Sequence, residues 1–204
     1  TWNFESTPWP HEKDATPGYA KHRKSEATIE LTPTAAADLI LSYHCPRIVI
    51  TGGEPLFQEN DFLEMITHIR AQQPDCVFEV ETNGTRTPSL AFAQAVDQFN
   101  VSPKLSNSGV KPSLRLVPDT LRFFASSPKA WFKFVIAAKA DLDEVLTLQK
   151  EFSIPASRIL LMPEGRTAAE LDRSAADIAE LCRAHGFRFC DRLHIRLWGD
   201  KRGV

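Results

Sequence analysis

Hydrophobic and polar residues follow two different periods from residue 32 onwards. Short apolar runs rich in β-branched or aromatic residues predict buried strands, and apolar residues spaced three and four apart predict helices between them. The predicted strands cover 47–51, 76–81, 98–101, 131–136, 158–162 and a last strand drawn from 187–190 and 193–198. The predicted helices cover 33–43, 60–73, 88–97, 141–152 and 167–185, with one or two helical turns in 113–125.

Strands that alternate with helices predict βαβ units and a parallel α/β sheet. About six strands are too few for an eight-fold barrel, so a partial barrel and an open doubly wound sheet both remain possible. The regular pattern is preceded by residues 1–30, which are predicted to form a long polar loop containing Trp2 and Trp9. A loop of this length is often functional or faces a partner.

Polar residues follow almost every predicted strand. In barrel-like α/β folds the carboxyl ends of the strands meet at one mouth, where ligands bind. We therefore expect a ligand site formed by the strand ends, which carry Thr51, Glu54, Glu81, Ser102, Lys104, Glu164 and the strand residue His194.

The sequence Thr51-Gly52-Gly53-Glu54-Pro55 is the short motif that points most clearly to a ligand-binding turn. Two glycines remove Cβ atoms, so backbone groups can approach a ligand, and Glu54 supplies an acceptor for an ammonium group. The segment lacks the Lys-Ser/Thr ending of a phosphate loop and the three-glycine dinucleotide spacing. On local physics alone, an ordinary glycine-rich turn with a solvated Glu54 explains the segment equally well.

Composition narrows the class of protein. The chain has 204 residues, 43% of them hydrophobic, and a net charge of −2, which excludes a disordered chain and argues against a nucleic-acid or membrane surface. No run approaches 18 apolar residues, and no signal peptide is visible. The four cysteines are scattered and form no metal-binding spacing, so we expect free thiols, no metal ligands in this chain and a reducing, cytoplasmic location.

Six motifs in one order give the chain a family resemblance. They are Ile-Thr-Gly-Gly-Glu-Pro-Leu (50–56), Glu-Thr-Asn-Gly-Thr (81–85), Val-Ser-Pro-Lys (101–104), Lys-Phe-Val-Ile (133–136), Leu-Met-Pro-Glu-Gly (161–165) and Asp-Arg-Leu-His-Ile-Arg-Leu-Trp-Gly (191–199). The series resembles the 7-carboxy-7-deazaguanine synthases, which are radical S-adenosylmethionine (SAM) enzymes of queuosine-precursor biosynthesis. The resemblance implies one radical-SAM-like domain over 1–204, folded as a partial (βα)6-type barrel with outer helices and its first strand missing.

The resemblance also implies roles for individual residues. The SAM-binding residues would be Gly52, Gly53, Glu54, Glu81, Ser102, Pro103, Lys104, Met162, Pro163, Glu164 and Gly165. Within this set, Glu54 would receive the methionyl amino group, Ser102 would lie near the ribose and Lys104 near the carboxylate. The pterin substrate would contact Thr51, His194 and the C-terminal carboxylate of Val204.

The implied reaction is a lyase-type ring contraction of 6-carboxy-5,6,7,8-tetrahydropterin to 7-carboxy-7-deazaguanine with loss of ammonia. The family uses a 4Fe–4S cluster bound by three cysteines, Mg²⁺ and a reductant such as flavodoxin. The chain begins at Thr1 where that cysteine motif should have ended, so an N-terminally truncated form is expected. The alternatives are a cluster-free remnant that binds SAM or pterin, and a different radical SAM enzyme such as an activase.

A homodimer is a further implication of the resemblance. The apolar residues Trp2, Phe4 and Trp9 of the predicted N-terminal loop are candidates for its interface or for a lid over the pocket. Neither a nucleic acid nor a membrane is expected as a partner.

Overall fold

The computed structural model describes Glu5 and residues 21–201 of the chain. Within these residues one sheet of six parallel strands runs in sequential order from β1 to β6. The strands are β1 (Arg47–Ile50), β2 (Val77–Thr82), β3 (Gln98–Val101), β4 (Ala130–Ile136), β5 (Ile159–Pro163) and β6 (Arg188–Phe189). This order, with every neighbour parallel, is that of a partial βα barrel and confirms the predicted α/β class.

Helices precede, connect and follow the strands. They are α1 (Lys24–Ala27), α2 (Pro33–Leu41), α3 (Glu59–Gln72), α4 (Leu90–Ala95), α5 (Pro112–Arg115), α6 (Pro118–Ser126), α7 (Asp141–Phe152), α8 (Ala168–His185) and α9 (Leu193–Trp198). Short 3₁₀ turns cover Pro55–Gln58, Ser106–Ser108 and Ala156–Arg158. None of the helices in the described part of the chain has the length and apolar character needed to cross a membrane.

One face of the sheet is buried beneath the helices and forms the core. Along β4, Phe132, Phe134 and Ile136 are buried, while the residues between them are half-buried. Phe99 of β3 is 1% exposed, and its ring centroid lies 5.3 Å from that of Phe124 on α6. Burying such aromatic side chains is the main stabilising contribution of this face.

The other face, called the open face here, carries polar side chains at alternate strand positions. Glu79 of β2 accepts hydrogen bonds from Arg47 Nη1, from Gln98 Nε2 at 3.2 Å and from Asn100 Nδ2 at 2.9 Å. In the same row, the guanidinium of Arg188 stacks 4.4 Å from the ring centroid of Trp131. Period-two alternation along the strands therefore separates an apolar core from a polar face.

The predicted strand over 193–198 is wrong, because these residues form helix α9, and the strand of this unit is β6. The backbone amide of Gly199 donates to the carbonyl of Ile195 at 2.9 Å, and Gly199 ends the helix with φ +68°. Asp191 bonds the backbone amide of Arg192 at 2.7 Å and also the Arg196 side chain, which holds the first turn. Of the apolar residues in this helix, Ile195 is buried.

The predicted N-terminal loop is corrected in part, since Lys24–Ala27 form α1. Trp2, Phe4 and Trp9, the candidate interface residues, lie outside the described residues.

Candidate ligand site at the strand ends

The turn after β1 holds Glu54 at the carboxyl edge of the sheet. Gly52 and Gly53 have φ values of +100° and +53°, a region that residues with a Cβ rarely adopt. A Cβ at either glycine would meet no atom within 4 Å, so the backbone conformation and not space requires glycine here. Pro55 then begins a 3₁₀ turn whose N-cap is Glu54.

The Glu54 carboxylate is 9% exposed and is held by three protein donors. Its Oε1 accepts from Thr82 Oγ1 at 2.8 Å and from the Leu56 amide at 3.3 Å, and its Oε2 accepts from the Asn83 amide at 2.8 Å. A carboxylate offers about four acceptor positions. Glu54 therefore retains acceptor capacity on Oε2 and joins the ends of β1 and β2.

A second group of charges lies on the open face beside this turn. Glu81 of β2 and Lys133 of β4 form an ion pair with 2.7 Å between Oε2 and Nζ, and both side chains are partly buried. Desolvation lowers the pKa of Lys104, and the positive charges of Lys133 and Arg192 lower it further, whereas Glu81 opposes the shift. The ends of β2, β3 and β4 therefore share one electrostatic environment, in which Lys104, Lys133 and Glu81 influence one another.

Cys190, just after β6, belongs to the same environment. Burial raises the pKa of its thiol, and Glu81 and Asp191 raise it further against the opposing charge of Lys133. The raised pKa keeps the Cys190 thiol protonated at neutral pH and makes it a poor nucleophile there.

A cavity of about 340 Å³ opens beside the ends of β3, β4 and β5. We call it the mouth cavity. Its walls combine apolar and polar side chains, and it is lined by Ser102, Pro103, Lys104, Leu105, Asn107, Ser108, Val135, Ala137 and Glu164. Its size lies within the range of small-molecule pockets.

The remaining predicted residues surround the end of β5. Met162 is half-buried on the open face, and Pro163 and Gly165 are buried. A Cβ on Gly165 would lie 2.9 Å from Leu171 Cδ2 and 3.1 Å from Glu170 Cβ, so helix α8 can approach this turn only because residue 165 is glycine. The carbonyl of Gly165 accepts from Arg192 Nη1 at 2.7 Å.

A buried ion pair supports the wall of the cavity from behind. Arg115 of α5 is 5% exposed, and its Nη1 donates to Glu144 Oε1 at 2.6 Å and to the Lys104 carbonyl at 2.8 Å. Glu144 of α7 also accepts from the Ser106 amide at 2.8 Å. Burial would raise the pKa of Glu144, but its bonds to Ser106 and Arg115 outweigh burial and lower it.

The structure thus brings most of the predicted residues to one edge of the sheet. Ser102, Pro103, Lys104 and Glu164 line the mouth cavity, and Glu81 interacts electrostatically with Lys104. Thr51 is exposed at the turn after β1.

Two predicted substrate contacts are not brought into this group. His194 is exposed on α9, and among the described residues it has no hydrogen-bonding partner. Val204 lies outside the described residues.

Sequence reasoning did not assign Lys133, Asn107 and Arg192 to the site. The sequence pattern could have identified Lys133, because this residue lies between Phe132 and Phe134 in a strand whose alternate residues are buried. A lysine in such a strand indicates a polar, ligand-facing side of the sheet, since buried lysines are rare unless paired. Asn107 and Arg192 lie in loops whose path the sequence pattern does not define.

No set of three or more His, Cys, Asp and Glu side chains within Glu5 and residues 21–201 could hold a metal ion. All four cysteines are free thiols, of which those of Cys76 and Cys182 are buried, that of Cys190 is half-buried and that of Cys45 is exposed.

Fold and site together define a parallel α/β protein with a ligand cavity at the carboxyl ends of its strands. No protein-family model matches the chain. The chain is 40% identical over 158 residues to the 7-carboxy-7-deazaguanine synthase of Pyrobaculum aerophilum, covering 77% of this chain and 67% of the relative. It is 32% identical over 178 residues to that of Halobacterium salinarum and 28% identical over 170 residues to that of Rhodopirellula baltica.

These similarities extend over 77–78% of this chain and over 66 and 63% of the latter two relatives. The chain spans about two thirds of the length of the curated relatives that it matches. It belongs to the family of 7-carboxy-7-deazaguanine synthases, which are enzymes.

Proposed function

We propose that this chain binds SAM and 6-carboxy-5,6,7,8-tetrahydropterin, and that it takes part in the ring contraction that yields 7-carboxy-7-deazaguanine for queuosine-type biosynthesis. One observation carries the proposal. The Glu54 turn, the Glu81–Lys133 pair and the mouth cavity lie at the carboxyl ends of adjacent strands, in a chain whose relatives are named as this synthase.

The donor set of the site fits the functional groups of SAM. Glu54 has a free acceptor position for the methionyl ammonium group, and Lys104 offers a cation for the carboxylate. Ser102 and the 162–165 segment would flank the nucleoside, in a cavity that is large enough for a purine base. When bound, SAM supplies the radical chemistry, and the residues named here orient it and exclude water from it.

No group of cysteine, histidine or carboxylate side chains within Glu5 and residues 21–201 has the ligand number that an iron–sulfur cluster requires. No step of the proposal passes through a cluster or Mg²⁺. The proposal instead assigns the described strand ends to SAM and the pterin. Thr51, His194 and Val204 are proposed pterin contacts, and a homodimer and a flavodoxin-type reductant are proposed partners.

Calorimetry with the 204-residue chain tests the proposal. We expect SAM and its stable analogue S-adenosylhomocysteine to bind at one site, and we expect Glu54→Gln to weaken both. The absence of any binding would contradict the proposal. In a separate anaerobic assay, an N-terminally extended form of the chain is reconstituted with iron and sulfide. The assay measures whether this form consumes the carboxy-tetrahydropterin.

A second candidate function is binding without catalysis, by a cluster-free chain. The groups proposed to hold SAM, Glu54 and Lys104, would serve SAM binding with or without catalysis. Tight SAM binding without SAM cleavage, in the reconstituted extended form, would support it over the synthase activity.

A further inference from the structure

The side-chain amide of Asn107 has only one favourable orientation. Its Nδ2 donates to the Val135 carbonyl at 3.1 Å and to Asp141 Oδ2 at 2.9 Å. Both partners only accept hydrogen bonds, so these two bonds use both Nδ2 hydrogens. Rotating the amide by 180° would place Oδ1 against a carbonyl and a carboxylate, which is unfavourable.

Asp141 is itself fixed as an acceptor. It is 8% exposed, and its Oδ2 also accepts from the backbone amides of Ala137 at 2.8 Å and Ala138 at 2.9 Å. These bonds hold the Asp141 carboxylate at the start of α7 and leave it facing Nδ2 of Asn107. The turn after β4 therefore determines which amide atom of Asn107 is available to a ligand.

Oδ1 of Asn107 is the atom left available. Among the described residues, no donor bonds to it, and Asn107 is an exposed residue that lines the mouth cavity. The cavity also offers the apolar side chains of Pro103, Leu105 and Val135, which suit the face of a flat base. The cavity therefore combines an asparagine whose unbonded amide atom is the acceptor Oδ1 with an apolar wall.

We propose that Asn107 is a specificity-determining residue that selects an aminopurine nucleoside over an oxopurine nucleoside. The exocyclic amino group of adenine can donate to Oδ1, whereas the oxo group of hypoxanthine would place an acceptor against an acceptor. This inference rests on the proposed function, because SAM carries adenine. It adds a residue that the strand-end motifs do not include.

Calorimetry with two matched ligands tests the inference without requiring catalysis. We expect the wild-type chain to bind S-adenosylhomocysteine about tenfold more tightly than S-inosylhomocysteine. A tenfold ratio is about 1.4 kcal/mol, which lies within the about 1–3 kcal/mol that an unsatisfied polar group costs. Asn107→Ala should bring the two affinities within about threefold. Asn107→Ser, which retains polarity without a fixed acceptor, should behave in the same way.

Ser108→Ala is the matched control. Ser108 lines the same cavity, and its Oγ bonds only to the backbone of its own loop, donating to Leu105 O at 2.6 Å. This variant should preserve the preference for the adenine ligand even if both affinities change. Circular dichroism melting checks that each variant folds.

The outcomes separate the two proposals. Equal binding of both ligands to the wild type, or an undiminished preference in folded Asn107 variants, overturns the role of Asn107 and leaves the SAM site intact. Failure of the wild type to bind either ligand overturns the proposed function and this inference together.

Discussion

The carboxylate of Glu54 is held by protein donors at both oxygens, yet it keeps room for a ligand. Thr82 and Asn83 fix its position through bonds of 2.8 Å from the neighbouring strand end. A ligand ammonium group would therefore meet a charge that is already oriented, and little conformational entropy would be lost on binding.

Glu54→Gln tests this arrangement. The variant removes the negative charge, and its amide Nε2 would face a backbone N–H or a hydroxyl donor. We expect it to bind S-adenosylhomocysteine at least about tenfold more weakly, as charge-assisted bonds are worth about 1.5–3 kcal/mol. Isothermal calorimetry measures the change.

Two controls isolate the ammonium contact of Glu54. An analogue of S-adenosylhomocysteine without the α-amino group should bind wild type and variant equally. Glu59→Gln, at a carboxylate that accepts from the Ser89 amide outside the site at 3.0 Å, should leave the affinity unchanged. Equal loss with both ligands would show that Glu54 only shapes the turn.

The lowered pKa of Lys104 predicts a pH dependence of binding. Because the surroundings disfavour the charged form, Lys104 loses its proton at a lower pH than an ordinary lysine does. Its attraction for a ligand carboxylate is therefore full below this lowered value and is lost as the pH rises through it. We expect the dissociation constant of S-adenosylhomocysteine to increase as the pH is raised towards the ordinary lysine value of 10.5, measured by calorimetry.

Lys104→Arg is the matched variant for this profile. Arginine stays protonated throughout that range, so the step caused by residue 104 should disappear while the titration of the ligand's own amino group remains in both profiles. Superimposable profiles for the two proteins would refute the assignment of Lys104 to the carboxylate.

Many of these site residues could be predicted from the sequence, because the strand ends of all parallel sheets are arranged in the same way. Strand ends of a parallel sheet share one edge, so Glu54, Ser102 and Lys104 could be grouped without a structure. The role of Asn107 could not be predicted, since it depends on the contact with Asp141 across 34 positions of sequence. The same is true of Lys133, whose partner Glu81 is 52 positions away.

At the scale of elements, the sequence pattern predicted the type of most helices and strands, and α9 is the exception. Helix α7 and strand β3 have their predicted bounds, and Thr32 caps α2 through a 3.2 Å bond from the Ala35 amide. In α9, Leu193, Ile195 and Leu197 alternate like a strand, but residues four apart also share one face of a helix. Three positions are too few to distinguish the two periods.

Helix α7 carries carboxylates that hold neighbouring loops, so we expect the free energy of unfolding to fall in acid. Its carboxylates Asp141 and Glu144, three residues apart, bond to the loops that form the wall of the cavity. Glu144→Gln leaves the buried Arg115 without its counter-charge, so we expect a loss of about 1–3 kcal/mol in the free energy of unfolding at pH 7. Urea denaturation measures it, with the exposed Glu151→Gln on the same helix as control.

The sign of the pH effect follows from the lowered pKa of Glu144. Between that value and the ordinary value of 4.5, the unfolded chain binds more protons than the folded chain, so stability rises with pH. The advantage of wild type over Glu144→Gln should be complete above pH 4.5 and should shrink as the pH falls through the lowered value. A difference that is constant with pH would contradict a stabilising charge at this position.

In the whole molecule, one face of the sheet contributes stability and the other face carries the groups proposed to bind ligands. Buried aromatic residues beneath the helices supply stability, and the open face with its strand ends supplies charges and acceptors. Polar groups such as Glu79 and Glu81 are accommodated because they accept hydrogen bonds from Asn100 and Lys133 on other strands. Ligand-binding variants on the open face should therefore cost less stability than substitutions in the core, which can be measured directly.

Phe99→Ala tests whether the buried face of the sheet contributes most of the stability. Phe99 is 1% exposed and packs against Phe92 and Phe124, with ring centroids 6.5 and 5.3 Å away. Truncation removes buried apolar surface and leaves a cavity, so we expect the free energy of unfolding to fall by about 3–5 kcal/mol. Phe57→Ala is the control, because Phe57 is 73% exposed and contacts Arg86 5.0 Å from its ring centroid. Its cost should stay below about 1 kcal/mol, and comparable losses from both variants in urea denaturation would refute a core confined to the helix-covered face.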